Sequence, residues 1–254
     1  MKEDREFNET CYFFTAERLD NVVIIRFREN MLFNITDLSA RDTVLDYLDR
    51  VSKNDLIKAV IILSSPKNRG QEEYRDFYHQ LSKMKGDVSL FHRLCNVVDQ
   101  FILKIVGLNK IVIHANSGNV ISLFLNVSLA CDYRIAADNT VFQNPYLDLG
   151  LLPKGGGPFF LSKRLGISKA YEILLFRREI TAHEALKLGI IDEVVPIDDL
   201  EEAAFEAAQR FIAIPFSTLS GIKKLINYSI HDLKSYLELE NGELLKIVEP
   251  SFWK

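Results

Sequence analysis

The sequence has no basic excess and no long apolar run. Its 31 Lys and Arg residues are outnumbered by 35 Asp and Glu, which gives a formal net charge of -4. A general nucleic-acid binder would show the opposite balance. No stretch approaches the roughly 20 apolar residues of a membrane helix, and the start, MKEDREFNET, lacks the apolar segment of a signal peptide. We expect neither a nucleic-acid nor a membrane partner.

Cysteine is also scarce. Cys11, Cys95 and Cys131 lie far apart in apolar contexts, and their odd number favours free buried thiols in a reducing compartment. None of the five histidines pairs with another at metal-ligand spacing. The sequence therefore predicts a cytoplasmic protein without a metal site.

The 254 residues, 48% of them hydrophobic, suffice for one large α/β domain or two smaller ones. Two β-rich runs, CYFFTAERL and VVIIRFRE, flank the turn-prone pair Asp20-Asn21 and predict a hairpin. Thr36 or Asp37 can cap a following helix, and AVIILSS (59–65) is typical of a strand buried on both faces. The charged run 67–87 predicts a mobile exposed segment that ends in a short helix.

Helical periodicity over 90–105 precedes a strand, KIVIHA, and residues 119–130 are apolar enough for a buried central helix. Short strands DYRIAAD and TVFQN follow, then helices over roughly 168–176, 181–188 and 198–213. An apolar stripe from Leu219 to Leu237 predicts one last long helix. This order indicates a parallel-sheet α/β core with a helical tail, in which 216–253 could form a separable subdomain that another subunit covers.

Two segments carry a family pattern. ACDYRIAADNTVFQNPYLDLGLLPKGGGPFFLSKRLG and ITAHEALKLGIIDEVVP lie within residues 130–196 and match in order and spacing without a gap. They resemble the crotonase (enoyl-CoA hydratase/isomerase) superfamily, and the flanking elements extend the resemblance over nearly the whole chain.

The resemblance implies an α/β fold, a crotonase-like spiral of ββα units (1–196) followed by a C-terminal all-helical trimerisation region (197–254). It also implies an acyl-CoA ligand, with coenzyme A entering as part of the substrate and no separate cofactor. A homotrimer or a dimer of trimers is the expected assembly.

In this family two backbone N–H groups hold the thioester oxygen, and preorganised donors of this kind stabilise an oxyanion. The family's glycine run corresponds here to Ser122, Leu123 and Phe124, so the second donor is the N–H of Leu123. Its side chain occupies space that glycine leaves open. The first donor falls near Gln71 or Glu72.

Both family carboxylates are replaced, one by Asn126 and the other by Tyr146. Hydration of a double bond needs groups that hold and deliver protons near neutral pH. Asparagine cannot do this, and tyrosine, with an ordinary pKa near 10, is a poor base. Satisfied core residues are the simpler interpretation of both, and standard hydratase chemistry is not expected.

Lys154 falls where related branches carry a residue that faces the acyl group. It could bind a substrate carboxylate, act as an acid or base if burial lowers its pKa, or be a solvated turn lysine. Asp148 is a second catalytic candidate, or it bonds its own turn. By resemblance, coenzyme A could contact Lys223, Phe252 and Lys254, which could equally be surface or packing residues.

Three functions remain open at this point. The first is an acyl-CoA enzyme with non-hydratase chemistry (an isomerase, hydrolase or decarboxylase) that uses Lys154, Tyr146 or Asp148. The second is a catalytically silent homologue that binds acyl-CoA or stabilises a partner enzyme. The third is a scaffold without CoA, which is favoured if Leu123 and Phe124 fill the pocket. The family's base rate favours an enzyme slightly.

Overall fold

The computed structural model describes residues 4–65, 67–83, 89–175 and 178–248. These residues form a mixed α/β architecture, as the sequence predicts, with two sheets and a largely helical C-terminal third. In chain order the strands are β1 (Glu9–Thr10), β2 (Phe14–Leu19), β3 (Val22–Phe27), β4 (Ala59–Leu63), β5 (Ile111–Asn116), β6 (Asn119–Ile121), β7 (Tyr133–Ala137), β8 (Val141–Gln143), β9 (Ile180–Thr181) and β10 (Glu193–Val195).

The main sheet has the order β1-β2-β3-β4-β5-β7-β10, and the smaller sheet has the order β6-β8-β9. Strands β1, β2 and β3 pair antiparallel, whereas β3, β4, β5, β7 and β10 run parallel. The predicted hairpin is confirmed, with Asp20 at its turn in the left-handed region (φ 54°).

The helices described are α1 (Met31–Ile35), α2 (Leu38–Lys53), α3 (Gln71–Lys83), α4 (Ser89–Gly107), α5 (Ser122–Leu129), α6 (Gly157–Leu165), α7 (Ile167–Leu175), α8 (Ala182–Leu188), α9 (Leu200–Ile212), α10 (Phe216–Asn227) and α11 (Leu233–Val248). The side chain of Asp37, rather than that of Thr36, caps α2 by accepting a 2.8 Å hydrogen bond from the N–H of Ser39. Sequence signals therefore placed the first long helix correctly.

The central parallel strands β4, β5 and β7 are largely buried on both faces because each face carries its own apolar cluster. Val60 and Ile62 of β4 belong to the larger cluster, which packs beneath helices that include α2 and α4. Ala59 and Ile61 point the other way, into a cluster completed by α9. Because side chains alternate along a strand, a residue of β5 in register with Ile62 also faces the larger cluster. That residue is His114.

Two predictions about the helical parts were wrong. The described part of the charged run 67–87 is not a fully exposed segment, because it contains α3, which buries one face. That face carries Tyr74, Phe77, Tyr78 and Leu81. Apart from the buried Glu73, the charges of α3 occupy the opposite face, which composition alone cannot reveal. The last long helix is also two helices, α10 and α11, joined by a 3₁₀ turn at Tyr228–Ile230.

The free thiols are as predicted for Cys95 and Cys131, which are buried, whereas Cys11 is half-buried. The division at residue 196 stays a prediction. Helix α9, beyond that boundary, packs its alanines Ala204, Ala207 and Ala208 against the main sheet, and α11 packs against α4.

Candidate functional site

A small apolar cavity lies on the α4 side of the main sheet, at the carboxyl end of β4. Its volume is about 70 Å³. Helices α1, α2, α4 and α5 supply an apolar wall that includes Met31, Val44, Phe101, Leu123 and Phe124. The carboxyl ends of parallel strands are where α/β proteins commonly bind ligands.

The polar residues of this cavity come from the segment after β4 and from within β5: Ser64, Ser65, Asn68 and His114. The hydroxyl of Ser64 accepts a 3.1 Å hydrogen bond from the N–H of Ser117, and the Ser65 hydroxyl accepts one from Lys67. By contrast, His114 Nδ1 and Asn68 Oδ1 are buried without a hydrogen-bond partner in the described part of the chain. Such orphaned atoms are rare in folded proteins and call for an explanation.

The imidazole of His114 is uncharged near neutral pH. Burial, and to a smaller extent the charge of Arg134 on the adjacent strand β7, lower the pKa of His114 to about 4. His114 is only 4% exposed. Metal-ligand spacing gives no reason to single out His114. The signal that could have singled it out is a histidine inside the apolar run IVIHA of β5.

Leu123 contributes to the cavity wall and lies in the first turn of α5, where backbone N–H groups have no acceptor within the helix. Leu123 is 3% exposed, so its side chain fills space at the position predicted to correspond to a family glycine. A cavity nevertheless survives next to it.

The segment predicted to hold the first oxyanion donor is engaged elsewhere. The N–H of Gln71 donates to Gln143 Oε1 at 3.0 Å, and the N–H of Glu72 donates to the carbonyl of Arg69 at 3.3 Å. Gly70 precedes them at φ +58°, and a Cβ there would lie 2.3 Å from Gln143 Oε1. This turn is therefore tied to β8 through Gln143.

Asn126 and Tyr146, the predicted replacements of the two family carboxylates, are both buried and both hydrogen-bonded to backbone. Asn126 Nδ2 donates to the carbonyl of Lys154 at 2.9 Å and packs on Gly157, where a Cβ would lie 2.6 Å away. The Tyr146 hydroxyl donates to the carbonyl of Leu174 at 2.7 Å, and burial raises the pKa of Tyr146. Neither contributes to the cavity wall in the described structure.

Lys154 forms a buried ion cluster with Asp99 of α4 and Glu240 of α11. Its Nζ lies 3.0 Å from Glu240 Oε1 and also pairs with Asp99. Burial opposes the ammonium charge, but the carboxylates of Glu240 and Asp99 prevail and raise the pKa of Lys154. Glu240 also accepts hydrogen bonds from the N–H groups of Gly155 (2.7 Å) and Gly156 (2.9 Å).

The glycines of this turn have a definite use. Gly155 (φ +95°) and Gly156 (φ +74°) adopt backbone conformations that disfavour other residues, and both N–H groups thereby reach one carboxylate. The structure thus places Lys154 in the packing of three elements and not in the cavity wall. Its catalytic role stays a prediction.

Asp148 and Lys223 do not line the cavity. Asp148 is exposed, and its Oδ2 lies 3.5 Å from an Arg75 guanidinium nitrogen. Lys223 is buried, and its Nζ donates to the carbonyl of Lys110 and to Asp132 at 2.6 Å. Phe252 and Lys254 lie outside the described residues.

Within the same described ranges, no group of three or more His, Cys, Asp and Glu side chains is placed to hold a metal ion. Likewise, no helix of those ranges is long and apolar enough to cross a membrane.

Comparison with known proteins decides the family. The family model for enoyl-CoA hydratase/isomerase matches residues 17–246. This chain belongs to the enoyl-CoA hydratase/isomerase family. It is 27% identical over 186 residues to YhaR of Bacillus subtilis strain 168, described as a candidate enoyl-CoA hydratase/isomerase, and the match covers 73% of this chain and 72% of YhaR.

Other relatives agree. EchA17 of Mycobacterium tuberculosis, a probable enoyl-CoA hydratase, is 28% identical over 69% of this chain and 65% of its own. Among solved structures, an enoyl-CoA hydratase from Bacillus halodurans superposes with a TM-score of 0.81 at 22% identity, covering 95% of this chain and 97% of that one. DspI of Pseudomonas aeruginosa gives 0.75 at 20% identity over 94% and 90%. These structures confirm that this chain has the crotonase fold.

Proposed function

We propose that this family member binds a short acyl thioester of coenzyme A in the apolar cavity and does not hydrate enoyl thioesters. The observation that carries the proposal is the composition of the cavity wall, which includes Leu123 but no carboxylate among the described residues. Leu123 N–H would hold the thioester oxygen, and the apolar wall would receive the acyl chain.

The residues at the predicted hydratase positions, Asn126 and Tyr146, support the proposal that the protein does not hydrate enoyl thioesters. Asn126 has no proton to exchange near neutral pH. The Tyr146 hydroxyl donates its hydrogen bond to the carbonyl of Leu174. Burial also raises the pKa of Tyr146, so it is a weak acid in this setting. A protein with these two side chains retains the means to bind a thioester but lacks the acid-base pair for adding water.

A second candidate is an enzyme of the same family with isomerase, hydrolase or decarboxylase chemistry. Leu123 favours it, because its N–H lies in the first turn of α5, the place from which the family stabilises an oxyanion. Coenzyme A would enter as part of the substrate, with no other cofactor.

The proposed assembly is a trimer or a dimer of trimers, in a cytoplasmic setting. Large apolar side chains on and just after α10 are exposed in the single chain, among them Leu225 (78%), Ile226 (65%) and Tyr228 (78%). Burial of such a patch between subunits would remove apolar surface from water.

The test is thermal stabilisation by coenzyme A, acetyl-CoA and butyryl-CoA, together with an assay for hydration of crotonyl-CoA. A ligand present at 100 times its Kd adds about 2.7 kcal/mol, which raises the Tm of a domain of this size by about 5–11 °C. We expect stabilisation by butyryl-CoA and no hydration. Measurable hydration, or no shift with any thioester, would contradict the proposal.

A pair of variants localises the binding. Leu123→Phe enlarges a side chain in the cavity wall and should abolish the shift that butyryl-CoA causes. Leu186→Phe makes the same change at a position that is 39% exposed on α8, and it should leave the shift intact. Equal shifts in both variants would place the thioester elsewhere.

A further inference from the structure

Helix α1 forms part of the cavity wall although it is too short to stay there unaided. It has five residues, of which Met31 and Ile35 line the cavity. Isolated helices shorter than about 12–15 residues are marginal in water. Contacts with the rest of the chain must therefore fix the position of α1.

The N-terminus of α1 is capped from a distance. Asn30, the residue at the N-cap, lies in the left-handed region (φ 57°), and its side chain makes no capping hydrogen bond. Instead, the N–H of Leu32 donates to Glu73 Oε1 of α3 at 2.8 Å, across 41 residues of sequence. A carboxylate at this place satisfies an N–H that has no partner within the helix and interacts favourably with the helix dipole. Glu73 thus supplies the cap that the side chain of Asn30 does not.

Burial makes this contact costly to break. Glu73 is 2% exposed and Leu32 is fully buried, so separating them would leave a donor and a carboxylate unsatisfied. Burial raises the pKa of Glu73, and the hydrogen bond from Leu32 acts against that rise. The rings of Phe33 and Phe77 form a second contact, edge to face with centroids 5.3 Å apart. Helix α3 therefore holds α1 through one polar and one aromatic contact.

Helix α3 is itself anchored at its first residue. The N–H of Gln71 donates to Gln143 Oε1 at 3.0 Å, and Gln143 Nε2 donates to Glu179 at 2.6 Å. This series of contacts connects the smaller sheet, through α3 and α1, to the cavity. Glu73 does not line the cavity, so any effect it has on a ligand must act through α1.

We propose that Glu73 is a positioning residue whose carboxylate holds α1 in the cavity wall and thereby sets the affinity for the acyl chain. The proposal rests on the thioester binding proposed above. Without the bond to Glu73, α1 leaves its place and the cavity loses the part of its wall that Met31 and Ile35 form.

Hydrogen–deuterium exchange of the free protein, followed by mass spectrometry, measures the placement of α1 directly. In Glu73→Ala the peptide that contains Leu32 should exchange about tenfold faster or more, the change expected from loss of one hydrogen bond to a charged group. Peptides from β4 and β5 should keep their wild-type rates. Glu73→Gln retains an acceptor oxygen and should restore most of the protection.

Glu202→Ala is the matched control. Glu73 and Glu202 are each the third residue of a helix, α3 and α9 respectively, but Glu202 is exposed. Its replacement should leave exchange in α1 unchanged.

Isothermal titration calorimetry with butyryl-CoA gives the consequence for binding. The Kd should rise by about threefold or more in Glu73→Ala, because only the molecules with α1 in place bind the ligand. Glu73→Gln and Glu202→Ala should retain the wild-type Kd. Rescue by glutamine, which keeps the acceptor, separates the positioning of α1 from a general effect of losing the side chain.

Three results would overturn the proposal. Wild-type exchange of α1 in Glu73→Ala would show that other contacts hold the helix, and faster exchange in every peptide would show a general loss of stability. Faster exchange in α1 with an unchanged Kd would show that α1 does not set the affinity. If the wild type binds no thioester, the proposed function falls together with the affinity claim, whereas exchange still decides whether Glu73 holds α1. Should Glu73→Ala not fold, Glu73→Asp, whose carboxylate is one methylene shorter, carries the same tests.

Discussion

Replacement of Lys154 by methionine would remove the only cation from the buried cluster with Asp99 and Glu240 that the described structure shows. The side chains of Lys154 and Glu240 are each 4% exposed and that of Asp99 is 14% exposed, so water screens the remaining carboxylates poorly. Removing one partner of a buried ion pair costs about 3–5 kcal/mol, because the other charge is left uncompensated. We expect Lys154→Met to lose that much stability near neutral pH.

The deficit should depend on pH in a defined direction. Burial raises the pKa of both Glu240 and Asp99, and Lys154 acts against this rise. Without Lys154 both pKa values rise further above those of the unfolded chain. The folded variant then binds protons more readily than the unfolded chain does, so its stability increases as the pH falls. The difference between wild type and variant should therefore be smaller at pH 5 than at pH 8.

Urea denaturation at both pH values measures this difference, and a thermal scan should show a Tm lower by about 6–20 °C at neutral pH. Lys246→Met, on the same helix α11, removes a lysine whose pair with Glu243 is exposed and should cost less than about 1 kcal/mol. Equal, small effects of the two substitutions would show that the cluster contributes no net stability. A deficit that does not shrink at pH 5 would contradict the charge argument.

Three further results are expected. Leu123→Ala should cost about 2–5 kcal/mol in urea denaturation and should improve the affinity for hexanoyl-CoA relative to butyryl-CoA; unchanged chain-length preference would exclude Leu123 from the acyl site. Tyr146→Phe should cost about 1 kcal/mol through the lost bond to Leu174 without changing thioester affinity; a large loss of affinity would revive a direct role. Because the pKa of His114 is about 4 when folded and 6.5 when unfolded, the unfolded chain gains a proton first. The free energy of unfolding of the wild type should thus fall by up to about 3 kcal/mol between pH 6.5 and pH 4, and this fall should be absent from His114→Leu. Parallel curves of stability against pH for the two proteins would refute this.

Local patterns in the sequence predict the elements well. The hairpin around Asp20 follows from β-rich runs and a turn signal, and α2 begins at a capping aspartate. The motif matches around residues 130–196 lead to the family, which the comparison confirms. These features depend on neighbours in the chain, so they can be deduced without coordinates.

The content of the candidate site is harder to predict because it depends on distant partners. Lys154 could be singled out from its motif position, but its partners lie 55 and 86 residues away on helices whose approach no local pattern encodes. The importance of His114 cannot be predicted from the sequence for a different reason. Its significance depends on a cavity, and a cavity is a property of packing rather than of spacing. The two orphaned polar atoms become visible only when all surrounding donors and acceptors are counted.

The Glu240 contact also has a consequence for synthesis on the ribosome. At about 5–20 residues per second, the 86 residues that separate Lys154 from Glu240 take roughly 4–17 s to make. During that interval the Gly155–Gly156 turn lacks its carboxylate acceptor, although the strands that precede it in the chain have already been synthesised. A nascent chain stalled before residue 240 should therefore remain sensitive to proteases at this turn, and completion of α11 is the step that closes it.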